Sequence, residues 1–180
     1  MVKKSTQVAL GGLASSLCLL LMFMTGLIPF STFAVPALAG MVLIAVVIEN
    51  GYKAAALVYI ATSFLSVFIV PDREAAMIFI FFFGYYPILK GKIEKFKSKI
   101  LELTLKFFIF NISVVLAYVF IINILGIDDV LDNIGVIGKY SPLILLALGN
   151  IVFVIYDFAL TNIIYIYIYK FRTMVFKNIK

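Results

Sequence analysis

Apolar residues in this chain neither alternate with polar ones nor recur on a single helical face. They run on for the length of a bilayer crossing, which takes about 20 residues as a helix. Six such runs occupy approximately residues 7–30, 32–48, 53–70, 75–89, 103–125 and 141–169, separated by short polar gaps. β-Barrel strands alternate apolar and polar positions over about ten residues. These runs are continuously apolar and mostly longer, so they predict helices, whose backbone satisfies itself inside a bilayer. The first run follows Lys3-Lys4 but exceeds the 7–15 residues of a leader's apolar region, so it reads as a span rather than a cleaved leader. Near the end of the fourth run, Gly84-Tyr85-Tyr86-Pro87 predicts a kink, because Pro removes a donor from the helix ladder.

The gaps carry the charge, and its placement sets a direction. With six spans, the two termini share a compartment. That side collects Lys3, Lys4, Lys53, Lys90, Lys92, Lys95, Lys97, Lys99, Lys106, Lys170, Arg172, Lys177 and Lys180, while the other has only Arg73 and Lys139. Thirteen against two is a strong positive-inside bias and predicts both termini in the cytoplasm, in a cell membrane. The expected fold is therefore one domain of 180 residues, an all-α integral membrane protein with six transmembrane helices.

Composition agrees. The chain is 64% apolar and 13% charged, with a mean hydropathy of +1.17, against about 45–50% and 25% for soluble domains. A soluble globule of this length cannot bury so much apolar side chain. The net charge of +6 sits between membrane runs, not on a folded basic surface, so nucleic acid is not the expected partner.

Missing residue types exclude several chemistries. Without His there is no Ser-His or Cys-His pair and no imidazole metal site. Cys18 is the single cysteine, so no intramolecular disulfide forms. No phosphate-binding GxxxxGK[ST] string occurs. The chain is expected not to be an enzyme, to need no cofactor and no metal, and to draw on partner subunits for any ATP-driven role.

The first span carries small residues at Ala9, Gly11, Gly12, Ala14, Ser15 and Ser16. Gly11 with Ser15, and Gly12 with Ser16, are small-xxx-small pairs that let another backbone approach closely. The neighbour is either another helix of the same bundle or a docked subunit. The Lys-rich start, this small-residue helix, Pro36-Ala37-Leu38-Ala39-Gly40 in the second span and Ala54-Ala55-Ala56 opening the third together resemble the substrate-binding (S) components of energy-coupling factor transporters. The resemblance covers about the first 60 residues in local sequence and the whole chain in architecture. The helix 1 stripe departs from the family pattern in mixing Gly and Ser where Ala is usual. The resemblance implies a six-helix bundle that binds a small micronutrient. It also implies that Gly11, Gly12, Ser15 and Ser16 dock on a transmembrane coupling subunit driven by two cytoplasmic ATPases.

Deep polar residues mark candidate sites. Asp157 lies mid-run in the sixth span, where a carboxylate costs about 2.5–3.5 kcal/mol to insert, so it should face the bundle interior. Asn150 and Thr161 lie seven before and four after it, on one helical face. Asn111 and Tyr118 are likewise seven apart on the fifth span. At 1.5 Å per residue, Asp157 is about 18 Å and Asn111 about 12 Å from the cytoplasmic ends of their helices, so the two can approach within about a turn. The long stem of Lys106 can reach toward Asp157. This set reads either as a polar clamp between spans or as a substrate, ion or proton site. Asn150 suits an outer pocket, with the acidic stretch Asp128, Asp129 and Asp132 as its lid or a hydrated connector. Tyr85 and Tyr86 are pocket walls or interface anchors, and the basic stretch 90–99 is drawn to anionic lipid.

The expected function is therefore uptake of a small, vitamin-like solute, bound by Asn150, Asp157, Asn111, Tyr118 and Tyr85. The alternatives are a non-transporting scaffold for cell-envelope assembly and a stand-alone channel or carrier.

Overall fold

The computed structural model of the protein describes residues 4–28, 31–125 and 141–171. Among these there is no strand, and five helical segments are long and apolar enough to cross a membrane. They are α1 (Lys4–Met24); α2 (Ala34–Ile69); a composite of α3 (Arg73–Ile78), a π-helical turn (Phe79–Phe83) and α4 (Tyr86–Ile93); α5 (Lys99–Leu125); and α6 (Ser141–Ile166), which runs on into a second π-turn (Tyr167–Phe171). Leu13, Leu57, Phe64, Phe68, Phe108, Ile155 and Phe158 are each more than half exposed. Such apolar outer faces suit lipid rather than water.

The second and third apolar runs merge into the 36 residues of α2, but not as one straight rod. Gly51 has φ 83° and ψ 175°, a conformation essentially restricted to glycine. The contacts of α2 with α1 change direction at this residue. Before it, Ala39 accepts from Cys18 and Asn50 donates to the Gln7 carbonyl at 2.8 Å, so rising numbers on α2 meet falling numbers on α1. After it, a Cβ on Gly11 would touch Val58, and Ser15 bonds Thr62 at 3.1 Å, so the numbers rise together. The chain reverses at Gly51 and both halves pack on α1.

The composite α3–α4 segment is built around Pro87. Its ring removes the donor that would bond the Phe83 carbonyl, and the turn just upstream widens to the π form, closed by Gly84 N–H on the Phe79 carbonyl at 2.8 Å. The Phe83 carbonyl instead faces Gly40 of α2, where an added Cβ would lie 2.1 Å from it. Glycine at position 40 thus permits this close backbone approach. At the opposite end of the segment, Asp72 caps α3 through Ala75 N–H at 3.0 Å and also accepts from Thr32 at 2.9 Å.

The interior is aromatic. Phe82 meets Phe83, Tyr86, Phe110, Phe153 and Tyr156, and Phe110 stacks on Phe153 with ring centres 4.7 Å apart. These rings fill the space where α4, α5 and α6 converge.

Several boundaries differ from the sequence reading. The fourth helix continues through Lys90 to Ile93 and the fifth begins at Lys99, not 103. Half of the basic stretch 90–99 is thus helical, at residues 90–93 and 99. Lys90 is ion-paired, as described next, so its charge does not end the fourth helix. The expected lid at Asp128, Asp129 and Asp132 lies outside the described residues.

Candidate functional site: an ion-paired cluster on three helices

Asp157 anchors a charged cluster drawn from α4, α5 and α6. Its Oδ1 accepts from Tyr86 Oη at 2.7 Å and from Lys90 Nζ at 2.6 Å, and its Oδ2 accepts from Lys106 Nζ at 3.0 Å. Both lysines also reach Glu94 Oε1, at 2.6 and 3.0 Å, and Lys106 pairs with Glu102 at 2.9 Å.

Local sequence explains the convergence. Tyr86, Lys90 and Glu94 follow at four-residue intervals and lie on one stripe of α4 and its C-terminal end. Glu102 and Lys106 repeat that spacing on α5. Lys90 is fully buried, and the Lys106 side chain is 6% exposed. A lone ammonium so placed would pay several kcal/mol of desolvation, which only close, hydrogen-bonded counter-charges offset. Two lysines against three carboxylates leave the cluster a formal charge of −1. The carboxylates of Glu94 and Asp157 stay partly open, at 32% and 21% side-chain exposure, so the cluster is reached from their side.

The other expected site residues separate into different places. Asn111 pairs with Asn150, not Asp157: each amide donates to the other's oxygen at 3.0 Å and, with its second N–H, to the carbonyl four residues back on its own helix. Both N–H groups of each amide are occupied, and the pair acts as a clamp between α5 and α6. Thr161 turns back to the Asp157 carbonyl of its own helix. Tyr118 is half-buried two turns along α5 from Asn111. Tyr85 points away from the cluster: its hydroxyl bonds Ser113, which donates to the Ile109 carbonyl at 2.6 Å.

The small residues of α1 also divide. Gly11 and Ser15 face the second half of α2, in contact with Val58 and Thr62. Gly12 and Ser16 are exposed, with nothing within 4 Å of a Cβ placed on Gly12.

Lys106 reaches Asp157, as its stem length suggests. Tyr86, read from the sequence as a pocket wall or an interface anchor, instead holds Asp157; Lys90, Glu94 and Glu102 are not expected at a site from the sequence alone. Their four-residue spacings were the available signal, masked by the many lysines around them. Among the described residues, no group of three or more His, Cys, Asp or Glu side chains is arranged to hold a metal ion.

These features fit a multi-pass helical membrane protein with a buried ionic cluster. The chain matches no family model, no curated protein and no solved structure.

Proposed function

We propose that the protein is the membrane-embedded, solute-binding component of a small-solute uptake system. It crosses the cell membrane six times with both termini in the cytoplasm, and depends on partner ATPase subunits. The observation that carries this reading is the Asp157 cluster: ionisable residues inside an apolar bundle mark substrate or ion pathways. Three helices meet there, and a polar solute that exchanges with the Asp157 pairs changes how they are held together. The reversal at Gly51 and the positive-inside bias support six passes. The open Gly12 and Ser16 face of α1 supports docking of a transmembrane coupling subunit with two cytoplasmic ATPases, in keeping with the resemblance to energy-coupling factor S components. A vitamin-like micronutrient is the solute class that resemblance implies.

A second reading, a non-transporting envelope scaffold, draws on the filled aromatic interior and the saturated Asn111–Asn150 clamp. Gentle purification followed by mass spectrometry of co-purifying subunits and small molecules separates the two. Two ATPases, a membrane coupling subunit and a solute lost in an Asp157→Asn variant are expected for uptake. A cell-wall enzyme or cytoskeletal partner, with no solute, overturns it in favour of the scaffold.

A further inference from the structure

We infer that the outer face of α4 and α5 is a binding groove for one anionic phospholipid, its acyl chain lying against Tyr85 and Ser113 and its headgroup held by Lys92 and Lys95. The groove encloses about 430 Å³ and is bordered by Tyr59, Ile80, Tyr85, Leu89, Ile112 and Ser113. Its walls are apolar. The hydroxyls within it are internally engaged, Tyr85 with Ser113 and Tyr59 with the Ile80 carbonyl at 2.6 Å, so they present no unmet polar group to a hydrocarbon chain.

The groove has a polarity along its length. On the α5 side its lining runs from Phe108 to Leu116, a rise of about 12 Å. That is close to one leaflet of a hydrocarbon core about 30 Å thick. On the α4 side, Tyr85, Leu89 and Lys92 follow at intervals of four and three, so one stripe carries the lining toward the charged end. There Lys92 and Lys95 sit 5.5 and 5.1 Å above the ring of Tyr52, two turns before Tyr59 on α2. Lys92, Lys95, Lys97 and Lys99 are exposed, and none is ion-paired among the described residues. The nearby carboxylates Glu94 and Glu102 are engaged by Lys90 and Lys106. A leaflet-deep apolar slot ending in uncompensated ammonium groups complements an anionic lipid, the chain by dispersion and the headgroup by charge. This site is separate from the Asp157 cluster and holds whether or not the protein transports a solute.

The test uses full-length protein reconstituted in mixed phosphatidylglycerol and phosphatidylcholine, then extracted and weighed intact by native mass spectrometry. The wild type is expected to retain one phosphatidylglycerol in preference to phosphatidylcholine. The double variant Lys92→Gln/Lys95→Gln should lose about 25-fold of that preference, from roughly fivefold per lysine. Ile112→Trp fills the slot from a side chain already 42% exposed, and should lower retention of both lipids. Leu116→Trp, 51% exposed at the far rim, repeats the test should the first variant fold poorly, which its unfolding transition reports. Equal retention of the two lipids by the wild type overturns the proposal. So does an unchanged preference in the lysine variant. Phosphatidylglycerol retention that survives a folded Trp variant also overturns it, because the basic end alone would then gather lipid.

Discussion

Lys90 is sealed from solvent, and its ammonium lies 2.6 Å from the carboxylate of Asp157, sixty-seven residues away on another helix. The pair joins α4 to α6, and Lys106 adds α5. Either charge alone would be costly in an apolar bundle; together they lock three helices at one level.

The first prediction concerns this lock. Asp157→Asn keeps the shape but leaves Lys90 and Lys106 with only the glutamates, and should destabilise the fold by about 3 kcal/mol, the low end for breaking a buried pair. Lys90→Met removes the partner. In the double variant the two losses should overlap, with a coupling of about 1–3 kcal/mol. Unfolding in detergent measures the cycle, and strictly additive losses would show that the two side chains do not act as a pair.

A second prediction isolates the backbone at Gly51. Nothing lies within 4 Å of a Cβ placed there, so Gly51→Ala causes no clash. The φ of 83° remains, and should cost about 1–3 kcal/mol. Gly12→Ala, equally open but helical, is the control and should be neutral or stabilising by up to about 1 kcal/mol. Equal stability of the two variants would mean that Gly51 is not held in that conformation.

The two faces of α1 should respond differently to bulk. Gly11→Leu and Ser15→Leu press on Val58 and Thr62, and should reduce folding yield. Gly12→Leu and Ser16→Leu point outward, and should leave unfolding unchanged while lowering partner association and uptake. Full uptake by the Gly12→Leu/Ser16→Leu protein would exclude this face as the docking surface.

Topology can be read by cysteine labelling in a Cys18→Ser background. Six passes place a probe at position 73 outside, and probes at 53 and 95 inside. Were residues 34–69 a single crossing, a probe at 53 would sit within the bilayer and resist labelling from both sides. That result would remove the six-pass reading.

The helical class and the place of most helices were legible in the sequence because the apolarity a membrane helix needs is a sum over windows of about twenty side chains. Such a sum tolerates errors at individual positions. The inward orientation of Asp157 was legible for a similar reason: one ionised group among apolar neighbours turns toward the bundle interior. The reach of Lys106 followed from stem length and depth alone. The interruption before Pro87 followed from the missing N–H.

Tertiary structure decided which polar groups meet. Asn111 and Asp157 are compatible in depth, yet Asn111 bonds Asn150, because hydrogen bonding depends on rotation about each helix axis as well as depth. A helix apolar on every side carries no amphipathic stripe to reveal that rotation. The same missing signal hid Lys90, which reads in one dimension as one more cation of a basic stretch. It also hid the division of the α1 small residues between a packed face and an open one. Charge count and hydropathy are properties of segments. The ionic lock, the asparagine clamp and the groove along α4 and α5 arise from side chains brought together by helix rotation and close packing, and those are specified only once all the helices are in contact.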